Sequence, residues 1–189
     1  VGGCALGKPL DHRAVRPAPR PASTICLVSD TPSGLEVLMV QRSPDARFMG
    51  GAWVFPGGAV DEGDAGALAR SVVRSTDATL LPFRAAAARE LVEETGIWLL
   101  EGGTIASTGR DSRTKIFAAA AQRNERFAGD SMWCFAHWIT PVVLPVRFDT
   151  RFFAAVVPRG IEAVADGSEV VDAAWISPAD ALSRANAGA

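Results

Sequence analysis

Residues 89–96 read Arg-Glu-Leu-Val-Glu-Glu-Thr-Gly (RELVEETG), and their spacing puts Glu90, Glu93 and Glu94 at i, i+3 and i+4, on one face of the last turns of a helix. Each like-charge pair at that spacing costs an isolated helix about 0.2–0.5 kcal/mol. The C-terminal end of a helix also carries partial negative charge and favours Lys or Arg over Glu. A local rule broken this way marks a functional site, and a divalent cation would turn the repulsion into coordination.

Upstream, Pro82 is suited to the first turn of that helix, Phe83 to Thr95 forms an alanine-rich run, and Gly96 stands where a left-handed C-terminal cap is expected. Before it, Gly57-Gly58 opens a loop of glycines and acids ending at Asp64. Ala22–Asp30 and Leu35–Arg42 are short apolar runs around Thr31-Pro32-Ser33-Gly34, which predicts a hairpin. Trp53-Val54-Phe55 is a brief strand stopped by Pro56. Residues 64–81 suit a short helix and a turn, 97–101 a strand, and 111–127 a second helix. Strands are predicted at 131–140, 150–157 and 170–176, then a final helix capped by Ser177 with Pro178 at its first position. Strands and helices interleave without a regular βαβ repeat, so the fold class is α/β (α+β), a mixed sheet with helices on both faces.

Composition narrows the function. At 189 residues and 48% hydrophobic, the chain suits one domain over 22–189, preceded by a Gly-, Pro- and Arg-rich arm over 1–21 that is disordered or surface-lying. The net charge is -2, with no clustered basic face of the kind that binds nucleic acid and no apolar run long enough for a membrane span. A cytoplasmic protein is the expectation, and a homodimer is left open. Cys4, Cys26 and Cys134, with His12 and His137, assemble no zinc-ligand spacing. Reduced thiols follow, with Cys26, Cys134 and His137 read as buried structural residues.

At this point the chain resembles the Nudix hydrolases. Their box runs Gly, five residues, Glu, seven residues, then Arg-Glu-apolar-x-Glu-Glu-x-Gly-apolar. Here Gly58 opens it, and Arg89 to Ile97 fits the second half at every defined position. Two departures stand out: the Glu after Gly58 is Asp64, with Glu62 nearby, and 24 residues (65 to 88) separate Asp64 from Arg89. An insertion at about 65–81 adds little closure entropy and leaves the carboxylate face unchanged. The resemblance implies an α/β/α sandwich and a pyrophosphohydrolase using Mg2+ or Mn2+. It implies Glu93 and Glu94 as metal ligands, Glu90 as a further ligand or the base, the Gly58 carbonyl as a backbone ligand, and Arg89 as the residue orienting a glutamate.

A second segment bears on substrate. Arg42-Ser43, Arg47, Gly51 and Phe55-Pro56-Gly57-Gly58 are spaced as in the motif associated with Nudix coenzyme A diphosphatases; Leu38 fits its upstream part, whereas Met39 and Val40 depart. The resemblance, strengthened by Arg147–Phe153 (RFDTRFF), points to the inserted-box coenzyme A diphosphatase branch. It implies a small nucleotide-diphosphate substrate held by a segment with Arg42, Arg47, Phe55 and Gly57, guanidinium groups matching phosphate oxygens. ADP-ribose, dinucleotides and oxidised nucleotides are alternative substrates, and a nucleotide sensor without catalysis is an alternative function. Glu169, before the strand at 170–176, is a further candidate carboxylate.

Overall fold

In the computed structural model, which describes residues 18–46, 49–106 and 115–187, nine strands and four α-helices are assigned. The strands are β1 (Arg20–Thr31), β2 (Gly34–Arg42), β3 (Trp53–Val54), β4 (Gly57–Ala59), β5 (Ile97–Leu100), β6 (Gly103–Ala106), β7 (Trp133–Ile139), β8 (Phe148–Val156) and β9 (Val170–Ile176). The helices are α1 (Ala67–Val72), α2 (Leu81–Thr95), α3 (Ile116–Gln122) and α4 (Pro178–Ala187). All strands but β5 and β6 join one mixed sheet, in which β1 runs parallel to β8 and every other pair is antiparallel.

The strand β1 changes partner along one edge. Its far edge pairs with β8 from Arg20 to Val28, while the near edge meets β4 at Ala22–Thr24 and β2 at Val28–Thr31. Likewise β2 pairs with β9 on one edge and with β1, then β3, on the other. The hairpin strands therefore diverge, and residues 53–59 fill the fork. There the Ile25 N–H donates to the Pro56 carbonyl at 2.9 Å, and the Val60 N–H to that of Pro21 at 2.9 Å. This fork puts Gly57 and Gly58 beside α2.

Alternation along the strands sets the layers. Ile25, Leu27, Leu38, Phe153 and Ala155 pack with Ala85, Ala87, Ala88 and Leu91 of α2. Next to Leu38, Met39 lines a cleft with Ala181 and Ala185 of α4, so α4 covers the opposite face and the α/β/α layering holds. Consecutive alanines 85–88 are all buried because β1 lies on one side of α2 while the inserted segment and the β5–β6 ribbon close the others. Trp98 of β5 stacks on Phe127 at 5.5 Å between ring centroids, and Phe117 meets the same ring edge-on.

The inserted residues are folded. After the 3-10 turn Glu62–Ala65 comes α1, whose end is tied to Phe127 by hydrogen bonds through Val72 and Arg74. The buried Arg84 of α2 then donates to Asp130 at 2.7 Å and Ser75 at 2.8 Å, clamping the insertion to the helix.

Several sequence expectations change. The strand β1 begins at Arg20, inside the stretch read as an arm, because Arg20 and Pro21 already pair with β8; residues 1–17, with Cys4 and His12, lie outside the described residues. Gly57–Ala59, read as the opening of a loop, is itself a strand. The helix expected over 111–127 is the shorter α3, with 111–114 outside the described residues and positive φ at Asn124 marking its exit. Cys134 is exposed, not buried, because β7 is an edge strand whose neighbours Trp133, Phe135 and Trp138 are exposed too. His137 is likewise open to solvent and bonds Asp149 at 2.5 Å.

Gly96 closes α2 at φ +73°, donating its N–H to the Val92 carbonyl at 2.9 Å. Gly96→Ala should therefore cost about 1 kcal/mol, since a Cβ disfavours the left-handed region. Urea denaturation would show a lower midpoint with unchanged slope; an unchanged midpoint would show that the cap carries no strain for alanine.

Candidate active site

The contact between β4 and the end of α2 depends on two glycines. The Gly57 N–H donates to Glu94 Oε2 at 3.0 Å. A Cβ on Gly57 would overlap the Ser23 carbonyl, and one on Gly58 would overlap Glu90 Oε1. Only hydrogen at both positions lets the turn approach the carboxylates this closely.

Arg89 organises the acids. Its Nε and one terminal nitrogen bond the two oxygens of Asp64, each at 3.0 Å, a bidentate pair. That terminal nitrogen also donates to the Ala59 carbonyl at 2.9 Å, and the other reaches Glu90 Oε1 at 2.9 Å and Glu93 Oε2 at 2.8 Å. Asp64 is fully buried and also accepts from the Asp61 N–H at 2.8 Å. One side chain thus ties the helix, the glycine strand and the start of the insertion together. Arg89 hydrogen-bonds two of the three glutamates. Asp64, which departs from the Glu of the Nudix box, is the main partner of Arg89.

One cation does not neutralise this cluster. Burial pushes the Glu94 carboxyl up to about 8, and the Glu90 charge adds to the shift. Burial also pushes Glu90 up to about 7, against the opposing pull of Arg89, and raises Glu93. Burial works against the Arg89 charge, but the hydrogen bond with Asp64 and the charges of Glu90, Asp64 and Glu93 outweigh it and raise its pKa. The negative charge of Glu169 acts on all three glutamates.

Among the described residues no three side chains of Asp, Glu, His or Cys already form a metal cage. Instead, Glu90 and Glu93 hold Arg89 and Glu94 holds the Gly57 amide. The donor chemistry nevertheless fits a hard cation: carboxylate oxygens whose ionisation is opposed by burial, beside a backbone turn with no Cβ to block it.

Two concavities flank the acids. One, of about 290 Å³, is lined by Arg42, Ser43 and Glu169 among others, and the Ser43 N–H donates to the Glu169 carbonyl at 2.9 Å. Arg42 is near enough to lower the Glu94 pKa, opposing its rise. Phe55 is half-buried in the fork between β3 and β4. Arg47 lies outside the described residues. The other concavity, of about 500 Å³, lies on the Arg89–Glu93 side and is walled by the insertion and α3. Sequence reading offered no signal for it, since its walls are assembled from separate segments.

The chain is similar to the crystal structure of a NUDIX hydrolase from Alicyclobacillus acidocaldarius, with a TM-score of 0.80 and 30% identity, covering 90% of this chain and 84% of that one. It is 32% identical over 177 residues to nudix hydrolase 7 of Caenorhabditis elegans, covering 89% of this chain and 55% of the relative, so it spans little more than half of that protein's length. A Caenorhabditis elegans Ap4A hydrolase, solved as a binary complex, shares the fold at a TM-score of 0.52 and 15% identity, covering 88% of this chain and 86% of that one. No family model matches the chain.

The raised carboxyls set a pH dependence. From the usual 4.5 of an unfolded glutamate to about 8, the folded protein holds more protons than the unfolded chain, so stability falls as pH rises. Asp77, Asp130 and Asp166, whose pKa values are lowered by hydrogen bonding, titrate below this window. In metal-free buffer, urea denaturation should give a smaller unfolding free energy at pH 8.5 than at pH 5, and Glu94→Gln should flatten the trend. Stability rising across that interval would contradict the charge balance described.

Proposed function

The chain belongs to the Nudix hydrolase family, and on that premise we propose that it is a pyrophosphohydrolase acting on a nucleoside diphosphate linked to another moiety, with coenzyme A or an acyl-coenzyme A as substrate. The observation that carries this reading is the meeting of the Gly57-Gly58 turn with three glutamates whose ionisation burial opposes and Arg89 alone does not offset. Such a cluster is suited to a hard divalent cation, Mg2+ or Mn2+, held by Glu93, Glu94, the Gly58 carbonyl and Glu90. When bound, the ion neutralises diphosphate oxygens and lowers the pKa of the attacking water.

The rest falls to the chain itself. Arg89 holds Glu90 and Glu93 in register while its own charge is fixed by Asp64. Glu90 serves as a further ligand or takes the proton of the attacking water, and Glu94 is held in place by the Gly57 amide. On the other side, Arg42 and Ser43 line a polar concavity suited to phosphate oxygens, with Arg47 assigned there by motif spacing. Hydrolysis of the diphosphate of coenzyme A would give 3′,5′-ADP and 4′-phosphopantetheine.

Incubation with Mg2+ and coenzyme A, ADP-ribose and dinucleotides, with the products resolved, tests this reading. Glu94→Gln should lower kcat by about a hundredfold or more while the protein stays folded. Arg42→Ala should raise KM for coenzyme A by about tenfold. Preferred turnover of ADP-ribose or a dinucleotide would replace the substrate. Tight nucleotide binding with no turnover would mark a sensor.

A further inference from the structure

The segment inserted between the two halves of the box has a consequence for substrate choice. It places α1 opposite the start of α3, and the gap between them opens onto the catalytic helix as the cavity of about 500 Å³. Leu68 of α1, Lys115, and Ile116 and Phe117 of α3 form its walls, and Arg89 and Glu93 reach it from α2. Its volume lies in the range of about 300–1,000 Å³ typical of small-molecule sites.

We propose that this cavity is the subsite for the non-nucleotide arm of the diphosphate substrate, and that it takes an uncharged, largely apolar arm such as an acylated pantetheine. The inference rests on the pyrophosphohydrolase reading and adds to it the identity of the arm and the residues that select it. Three observations carry it. The cavity shares Arg89 and Glu93 with the acidic cluster, so a group attached to a diphosphate held there lies next to it. Its charged groups at α2 are already paired, Arg89 with Asp64 and Glu93, so they offer little to a second charged moiety, whereas Leu68 supplies exposed apolar surface beside the largely buried Ile116 and Phe117. Leu68 is 46% exposed although it belongs to a helix packed against α3, so part of its side chain is left for a partner outside the core. The Arg42 concavity shares no lining residue with this one. A diphosphate at the glutamates would therefore send its phosphate-bearing nucleotide toward Arg42 and its apolar arm toward Leu68.

Leu68→Arg tests the assignment with little risk to folding, because the side chain is half-exposed. Steady-state kinetics with palmitoyl-coenzyme A and ADP-ribose would be compared between wild type and variant, alongside calorimetric binding of palmitoyl-coenzyme A in EDTA. The subsite predicts that KM for palmitoyl-coenzyme A rises about tenfold more than KM for ADP-ribose, and that binding in EDTA weakens by a similar factor. Equal effects on both substrates, or none, would overturn the subsite while leaving the hydrolase reading intact. If wild type turns over neither compound, the subsite stands only if wild type binds palmitoyl-coenzyme A in EDTA and the variant binds it about tenfold more weakly, while the hydrolase reading is decided by the wider panel of coenzyme A and dinucleotides.

Discussion

The bidentate pair between Arg89 and Asp64 is the contact on which the site depends. Asp64 is fully buried and Arg89 nearly so, and removing Arg89 would strand the Asp64 charge in the interior at a cost of about 3–5 kcal/mol. The remaining donors of the same guanidinium reach Glu90, Glu93 and the Ala59 carbonyl. The two halves of the box, separated by 24 residues in sequence, are therefore joined through one side chain. A long insertion is compatible with this because it leaves from Asp64 and returns to α2 through its own clamp, Arg84 with Asp130 and Ser75.

The glutamates strain this arrangement. Burial opposes ionisation of Glu90, Glu93 and Glu94, and the Glu93 charge adds to the difficulty at Glu90 as the Glu90 charge does at Glu94. A hydrophobic or amide side chain at these positions would make a more stable helix end. On the proposed reading, keeping three acids there gives up stability for the capacity to hold a cation against an anionic substrate. The glycines at 57 and 58 belong to the same compromise, since they let backbone stand where side chains would overlap the carboxylates.

Much of this was legible in the residues. The run of alanines, Pro82 and Gly96 gave the helix, and the spacing of Glu90, Glu93 and Glu94 gave its acidic face, because both are local patterns. The last strand and helix, with Ser177 bonding Asp180 at the cap, were legible for the same reason. What local pattern does not encode was missed. Gly57–Ala59 becomes a strand only because β1 and β2 diverge and leave their edges open to it. Cys134 is exposed along with nearly all of β7, an edge strand among the described residues, which its apolar sequence does not reveal. The cavity beside Glu93 is assembled from α1, α3 and α2, segments whose proximity no spacing announces.

The central claim is that the acidic end of α2 and the glycine turn together hold a divalent cation. Anomalous scattering from crystals grown with Mn2+ measures this directly. The account predicts an ion coordinated by Glu93, Glu94 and the Gly58 carbonyl, with Arg89 still paired to Asp64. A map with no ion there at millimolar Mn2+, and the three carboxylates left as they stand around Arg89 and Gly57, would contradict it.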